Sequence, residues 1–118
     1  MAFLRSAARE AAGREVVVEL HWHRPELFGE QERALADERI QTLARDHSDL
    51  IGVRISAKPT AHHRHGGQEV QITCDARGGQ ISASRTRPDL GLALNEALDA
   101  FEREVWRMRD RRAERRRA

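Results

Sequence analysis

The last sixteen residues hold eight arginines, Arg103, Arg107, Arg109, Arg111, Arg112, Arg115, Arg116 and Arg117, against Glu104, Asp110 and Glu114, a net charge of +5. The preceding 102 residues carry 13 basic and 16 acidic side chains, so the formal +2 of the whole chain conceals a polarised distribution. Guanidinium groups offer planar, bidentate donors matched to phosphate oxygens, and each phosphate they neutralise releases counterions. A basic end on a slightly acidic body therefore points to a polyanion, nucleic acid first. Charge placed merely to dissolve a protruding helix would be shared with lysine, and this segment has none. Five aromatic residues, Phe3, Trp22, Phe28, Phe101 and Trp106, are too few for a base-stacking surface. The expected recognition is of backbone and shape, as for structured RNA.

Other chemistry finds less support. His62, His63 and His65 cluster, but no Cys-x-x-Cys or helical His-x-x-x-His accompanies them, so no metal is expected. The single cysteine, Cys74, falls on the inward side of a strand and reads as a small buried hydrophobe. The chain contains no Gly-rich phosphate loop, no Ser-centred elbow and no carboxylate pair set in an apolar pattern. We expect no catalysis, no cofactor and no small-molecule substrate.

The elements that must position the arginines follow from periodicity. Val16, Val18, Leu20 and Trp22 alternate with polar residues and predict a first strand, ended by Pro25, which can open a helix. Leu35, Ala36, Ile40, Leu43 and Ala44 form the apolar stripe of a first helix between Glu30 and His47. Ile51, Val53, Ile55 and Ala57 predict a second strand that stops at Pro59. After a loop from Thr60 to Gly67, Val70, Ile72, Cys74 and Ala76 mark a third strand, and Ile81 and Ala83 a fourth beyond the Gly78-Gly79 turn. Pro88 suits the first turn of a second helix, with Asp89 at its positive end. That helix has the stripe Leu90, Leu94, Ala97, Leu98, Phe101, Val105 and Met108. The order β-α-β-β-β-α predicts an α+β fold: a four-stranded mixed sheet with both helices packed on one face and the other face wet. The strand-helix-strand unit should be parallel, and the next strands an antiparallel meander.

A chain of 118 residues suits one domain. We divide it into an N-terminal extension (1–14), an α+β domain (15–112) and a basic tail (113–118). No apolar run approaches the ~18 residues of a membrane span, and the N-terminal segment lacks the hydrophobic centre of a secretory signal. The expected compartment is the cytoplasm, with no membrane partner.

The element order and the run from Glu69 to Arg112 resemble the family of ribosome hibernation promoting factors and ribosome-associated inhibitors. The likeness is carried by the Gly78-Gly79 hairpin, the Asp89-Leu90 helix start, Asn95 where the family usually has Asp, and the rhythm Arg103, Arg107, Arg109, Arg111. Arg33 and Arg39 fall where members carry basic residues in the first helix, while Thr42 and Gly91 depart from the pattern. The resemblance implies binding to the small ribosomal subunit, in the channel used by mRNA and the tRNA anticodon ends, so that idle ribosomes are held inactive. The chain looks like a short form without the additional domain of long members. From charge spacing and resemblance together, Arg103, Arg107, Arg109, Arg111 and Arg112 are the expected rRNA phosphate ligands. Arg33, Arg39 and Lys58 are secondary contacts. The alternative is a general structured-RNA module resembling double-stranded-RNA-binding domains, whose α-β-β-β-α order lacks the leading strand.

Overall fold

The computed structural model describes residues 18–60 and 67–117. The N-terminal extension, Val16 and the three clustered histidines lie outside these described residues. The elements are β1 (Glu19–Trp22), a single 3-10 turn (Pro25–Leu27), α1 (Glu30–Ala44), β2 (Leu50–Thr60), β3 (Gly67–Ala76), β4 (Gly79–Arg87) and α2 (Leu90–Arg117). The sheet order is β1-β2-β3-β4, with β1 parallel to β2 and the other two pairs antiparallel. This is the mixed sheet expected from the strand-helix-strand unit and the meander.

One face of the sheet carries Val53, Ile55, Ala57, Val70, Ile72, Cys74, Ile81 and Ala83, all buried. Onto it pack Ala36, Ile40, Leu43 and Ala44 of α1 and Leu94, Ala97, Leu98, Phe101, Val105 and Met108 of α2. The alternation of the strands and the three-four spacing of the helices therefore meet in one core. Gln41 ties α1 to the start of β1, accepting from the Val18 N–H at 3.0 Å and donating to the Val18 carbonyl at 2.7 Å. Gly78, at φ 96°, supplies the left-handed residue that the tight β3–β4 turn needs.

Four local expectations are corrected. Pro25 opens only the 3-10 turn, because Phe28 then runs extended and packs edge-on against Trp22 with ring centroids 4.8 Å apart; α1 starts after Gly29. In β2 the inward series begins at Leu50, not Ile51: the register shifts between Leu50 and Gly52, burying Leu50 and leaving Ile51 61 % exposed. Pro59 does not end β2. Strand β1 accompanies β2 only as far as Ile55, so Pro59 lies where β2 has β3 alone as its neighbour and proline is tolerated. Leu35 is not on the buried stripe of α1 but on its flank, half exposed.

The start of α2 is set by Asp89 rather than Pro88, because β4 stays paired with β3 as far as Arg87. The Asp89 carboxylate accepts from the Leu92 N–H at 2.8 Å, and its carbonyl accepts from Ala93 at 3.0 Å. Both the lost hydrogen bond and the lost negative charge act at the helix N-terminus, so Asp89→Ala should cost about 1 kcal/mol in urea unfolding. Asp89→Asn should recover most of that loss.

Candidate nucleic-acid interface

Met108 is the last buried apolar residue of α2, yet the helix continues to Arg117. At about 1.5 Å per residue the remainder is roughly two and a half turns of charged helix beyond the core. Arg103, Arg107 and Arg111 are exposed along it, as are Arg115, Arg116 and Arg117, and Arg112 is partly covered. Arg107 donates to Glu104 at 2.6 Å, one turn earlier, while its side chain remains 65 % exposed. An exposed pair of this kind contributes little and leaves the guanidinium available to another acceptor.

Arg109 has a different partner from the one expected. Its side chain is only 8 % exposed, and it donates from Nε and Nη2 to the two carboxylate oxygens of Asp49 at 2.7 and 3.0 Å. Nη2 also donates to the Leu43 carbonyl at 2.9 Å, at the end of α1. Nη1 is buried without an acceptor among the described residues. Burial pushes the Asp49 carboxyl up, but hydrogen bonds and charge from Arg109 outweigh it and hold the group below the usual carboxylate range. Arg109 thus pins α2 to the α1–β2 loop instead of facing solvent.

Arg39 is likewise committed inside the molecule. From α1 it donates to Glu102 at 3.0 Å, Asn95 at 3.0 Å and Asp99 at 2.6 Å, all on α2. Burial lowers its pKa and the two carboxylates raise it by more, so the group stays charged. Arg33, also on α1, is half-buried, and its Nε–H meets no acceptor among the described residues. Lys58 stands apart. The alternation of β2 places it on the sheet face opposite the helices, where its Nζ lies 3.4 Å from Glu69 on the adjacent strand. The expected ligands therefore divide into a row on α2 (Arg103, Arg107 and Arg111 exposed, Arg112 partly covered), two internal links (Arg39 and Arg109), the half-buried Arg33 on α1, and Lys58 on the far side.

The fold also brings together residues that the sequence reading left out. Arg77, from the β3–β4 turn, joins Arg109, Arg112 and Arg116 of α2 around a cleft of about 370 Å³ whose wall includes His47 and Asp49. Arg77 lies 32 positions before Arg109 and outside the terminal arginine run, so charge spacing could not find it. Sharing His47 with the cleft, a second groove lined by Arg39, Leu43, Arg45 and Glu102 holds Trp106, which is 51 % exposed. The guanidinium carbon of Arg109 sits 4.9 Å from its ring centroid, and the His47 ring meets it edge-on at 6.0 Å.

Cys74 is fully buried on the inner face, and burial pushes its thiol up to about 11, which suits a packing residue and not a nucleophile. Among the described residues no group of three or more His, Cys, Asp or Glu side chains converges as a metal site, and no helix is long and apolar enough to cross a membrane.

No protein-family model matches the sequence, and no curated protein matches it either. Solved structures do match the fold. The crystal structure of the Thermus thermophilus Protein Y N-terminal domain superposes with a TM-score of 0.58 at 18% identity, covering 78% of this chain and 97% of that one. A structure described as a ribosomal subunit interface protein from Coxiella burnetii gives 0.61 at 10% identity, covering 79% and 97%. The chain has the fold of these two proteins over nearly their whole length.

Proposed function

We propose that this protein is a ribosome-associated translation inhibitor, a hibernation factor that binds small-subunit rRNA in the mRNA and tRNA channel and keeps idle ribosomes inactive. The observation that carries the reading is the arginine row of α2, which begins alongside the core at Arg103 and continues past it, on a domain whose fold matches a ribosomal subunit interface protein and Protein Y. Arg103, Arg107, Arg111 and Arg112 are the phosphate ligands, with Arg33 a secondary contact. Arg109 and Arg39 set the position of the helix that carries them, and Lys58 lies on the other face. The body of the domain acts by occupying space that a translating complex needs, so no bond is made or broken. The working compartment is the cytoplasm.

Co-sedimentation tests the assignment. The purified chain should pellet with small subunits at moderate salt, bind large subunits weakly, and bind a plain RNA duplex much less tightly than it binds the small subunit. Equal affinity for subunit and duplex would replace this reading with a general structured-RNA module. The leading strand β1, parallel to β2, already separates the fold from the α-β-β-β-α order of double-stranded-RNA-binding domains.

A further inference from the structure

Trp106 occupies an unusual place. It is a large ring, half exposed, on a stretch of helix whose other outward residues are arginine and acid. Leaving such a ring in water forfeits burial that any apolar contact would recover. Its underside is not loose: the Arg109 guanidinium lies 4.9 Å from the ring centroid, and that guanidinium is fixed by two hydrogen bonds to Asp49 and one to Leu43. His47 meets the ring edge-on, with an interplanar angle of 88°. The ring is thus held from below and from the side, which is the pre-organisation that a stacking partner requires.

The cleft next to it has the complementary chemistry. Four arginines, Arg77, Arg109, Arg112 and Arg116, line it against two aspartates, Asp46 and Asp49, and Asp49 is already neutralised by Arg109. His47 and Arg109 belong to both the ring and the cleft, so the two sites adjoin. At about 370 Å³ the cleft falls within the size range of small-ligand sites, and its lining favours an anion.

We infer that Trp106 and the arginine cleft together form a nucleotide site, in which one unstacked base of single-stranded RNA lies on the Trp106 ring and its phosphate enters the cleft between Arg77, Arg112 and Arg116. The site rests on the RNA-binding reading above and adds a base-contacting element to a clamp otherwise made for backbone. Stacking tolerates any base, because every base presents a π-face. The site therefore selects for strand openness and not for sequence.

The full chain carrying Trp22→Phe leaves Trp106 as its single tryptophan and its emission as the readout. A hexamer of adenylate should quench that emission on binding, whereas inorganic polyphosphate should compete with the hexamer without quenching. In a labelled-hexamer anisotropy assay on the wild-type chain, Trp106→Ala should weaken affinity roughly 5- to 100-fold with the salt dependence unchanged, and Trp106→Phe should retain most of it. Arg77→Gln with Arg116→Gln should lower the slope of log affinity against log salt by about one to two, for hexamer and polyphosphate alike. The site is overturned if the hexamer binds without altering Trp106 emission, or if Trp106→Ala binds it as the wild type does. A chain that pellets with small subunits but shows either result keeps the ribosomal reading and loses the nucleotide site. A chain that shows the quench but ignores small subunits keeps the site and loses the ribosomal reading.

Discussion

Replacing Arg109 with Gln should lower the unfolding free energy by about 3 kcal/mol, whereas the same change at Arg111, two residues along, should shift it by less than about 0.5 kcal/mol. The contrast follows from burial. Arg109 and Asp49 are 8 % and 9 % exposed and joined by two short hydrogen bonds, while Arg111 is exposed. Glutamine cannot reproduce the fork, so the largely buried Asp49 carboxylate loses its bidentate partner, and the Leu43 carbonyl loses a donor. The melting temperature should fall by on the order of 10 °C. The pH dependence gives an independent check. With Arg109 present, Asp49 is held below its ordinary value of 3.8, so the stability it contributes is complete above that value and is lost as pH falls through its folded value. Without Arg109 the main causes that lower the carboxyl are gone while burial still raises it, so protonation costs the variant less than it costs the parent. The gap between the two proteins in urea unfolding should therefore be wide at pH 7 and narrower at pH 3. Equal destabilisation by Arg109→Gln and Arg111→Gln would show that the Asp49 pair does not hold α2 in place.

The fold was legible because its signals are local and redundant. Each strand alternates, each helix has a three-four stripe, and Gly78 marks the tight β3–β4 hairpin. What escaped was set by partners distant in sequence. Ile51, and not Leu50, is in phase with Val53, Ile55 and Ala57, and only the register shift against Ala76 and Asp75 turns Leu50 inward instead. Pro59 reads as a stop unless the length of β1 is known. The same holds for the arginines. Arg109 and Arg111 look alike in a charge run, but Arg109 adjoins the buried stripe, one residue after Met108 and four after Val105, on the flank where Asp49 waits. A trace of Arg39's role is visible in hindsight: Asn95, Asp99 and Glu102 recur at spacings of four and three, a polar stripe on α2 that requires a cation from its neighbour. Charge counting gives the sign of a surface but not which members of a run face inward. For Arg77 no local pattern existed, since the turn meets α2 only in the folded chain.

That division makes the binding prediction specific. The triple variant Arg103→Gln, Arg107→Gln, Arg111→Gln removes three exposed cations and no internal link, since Arg107 gives up only its surface contact with Glu104. Its thermal unfolding should stay close to the parent's, because exposed pairs and single surface charges contribute little. Its affinity for small subunits should fall roughly a hundredfold near 0.1 M salt, and the slope of log affinity against log salt should decrease by about two to three, one unit or slightly less for each lost phosphate contact. Arg109→Gln should behave in the opposite way at a temperature where it remains folded, losing stability while retaining nearly the parent's salt slope, because its charge is already committed to Asp49. Measuring both quantities on both variants separates the clamp from the bracket that holds it. If the triple variant pellets with small subunits as the parent does, with the same salt slope, the exposed row of α2 is not the phosphate clamp and the ribosomal assignment loses its physical basis. If instead the slope falls but the affinity barely changes, the remaining affinity must come from contacts that carry no charge, and Trp106 is the half-exposed ring on that helix able to supply one.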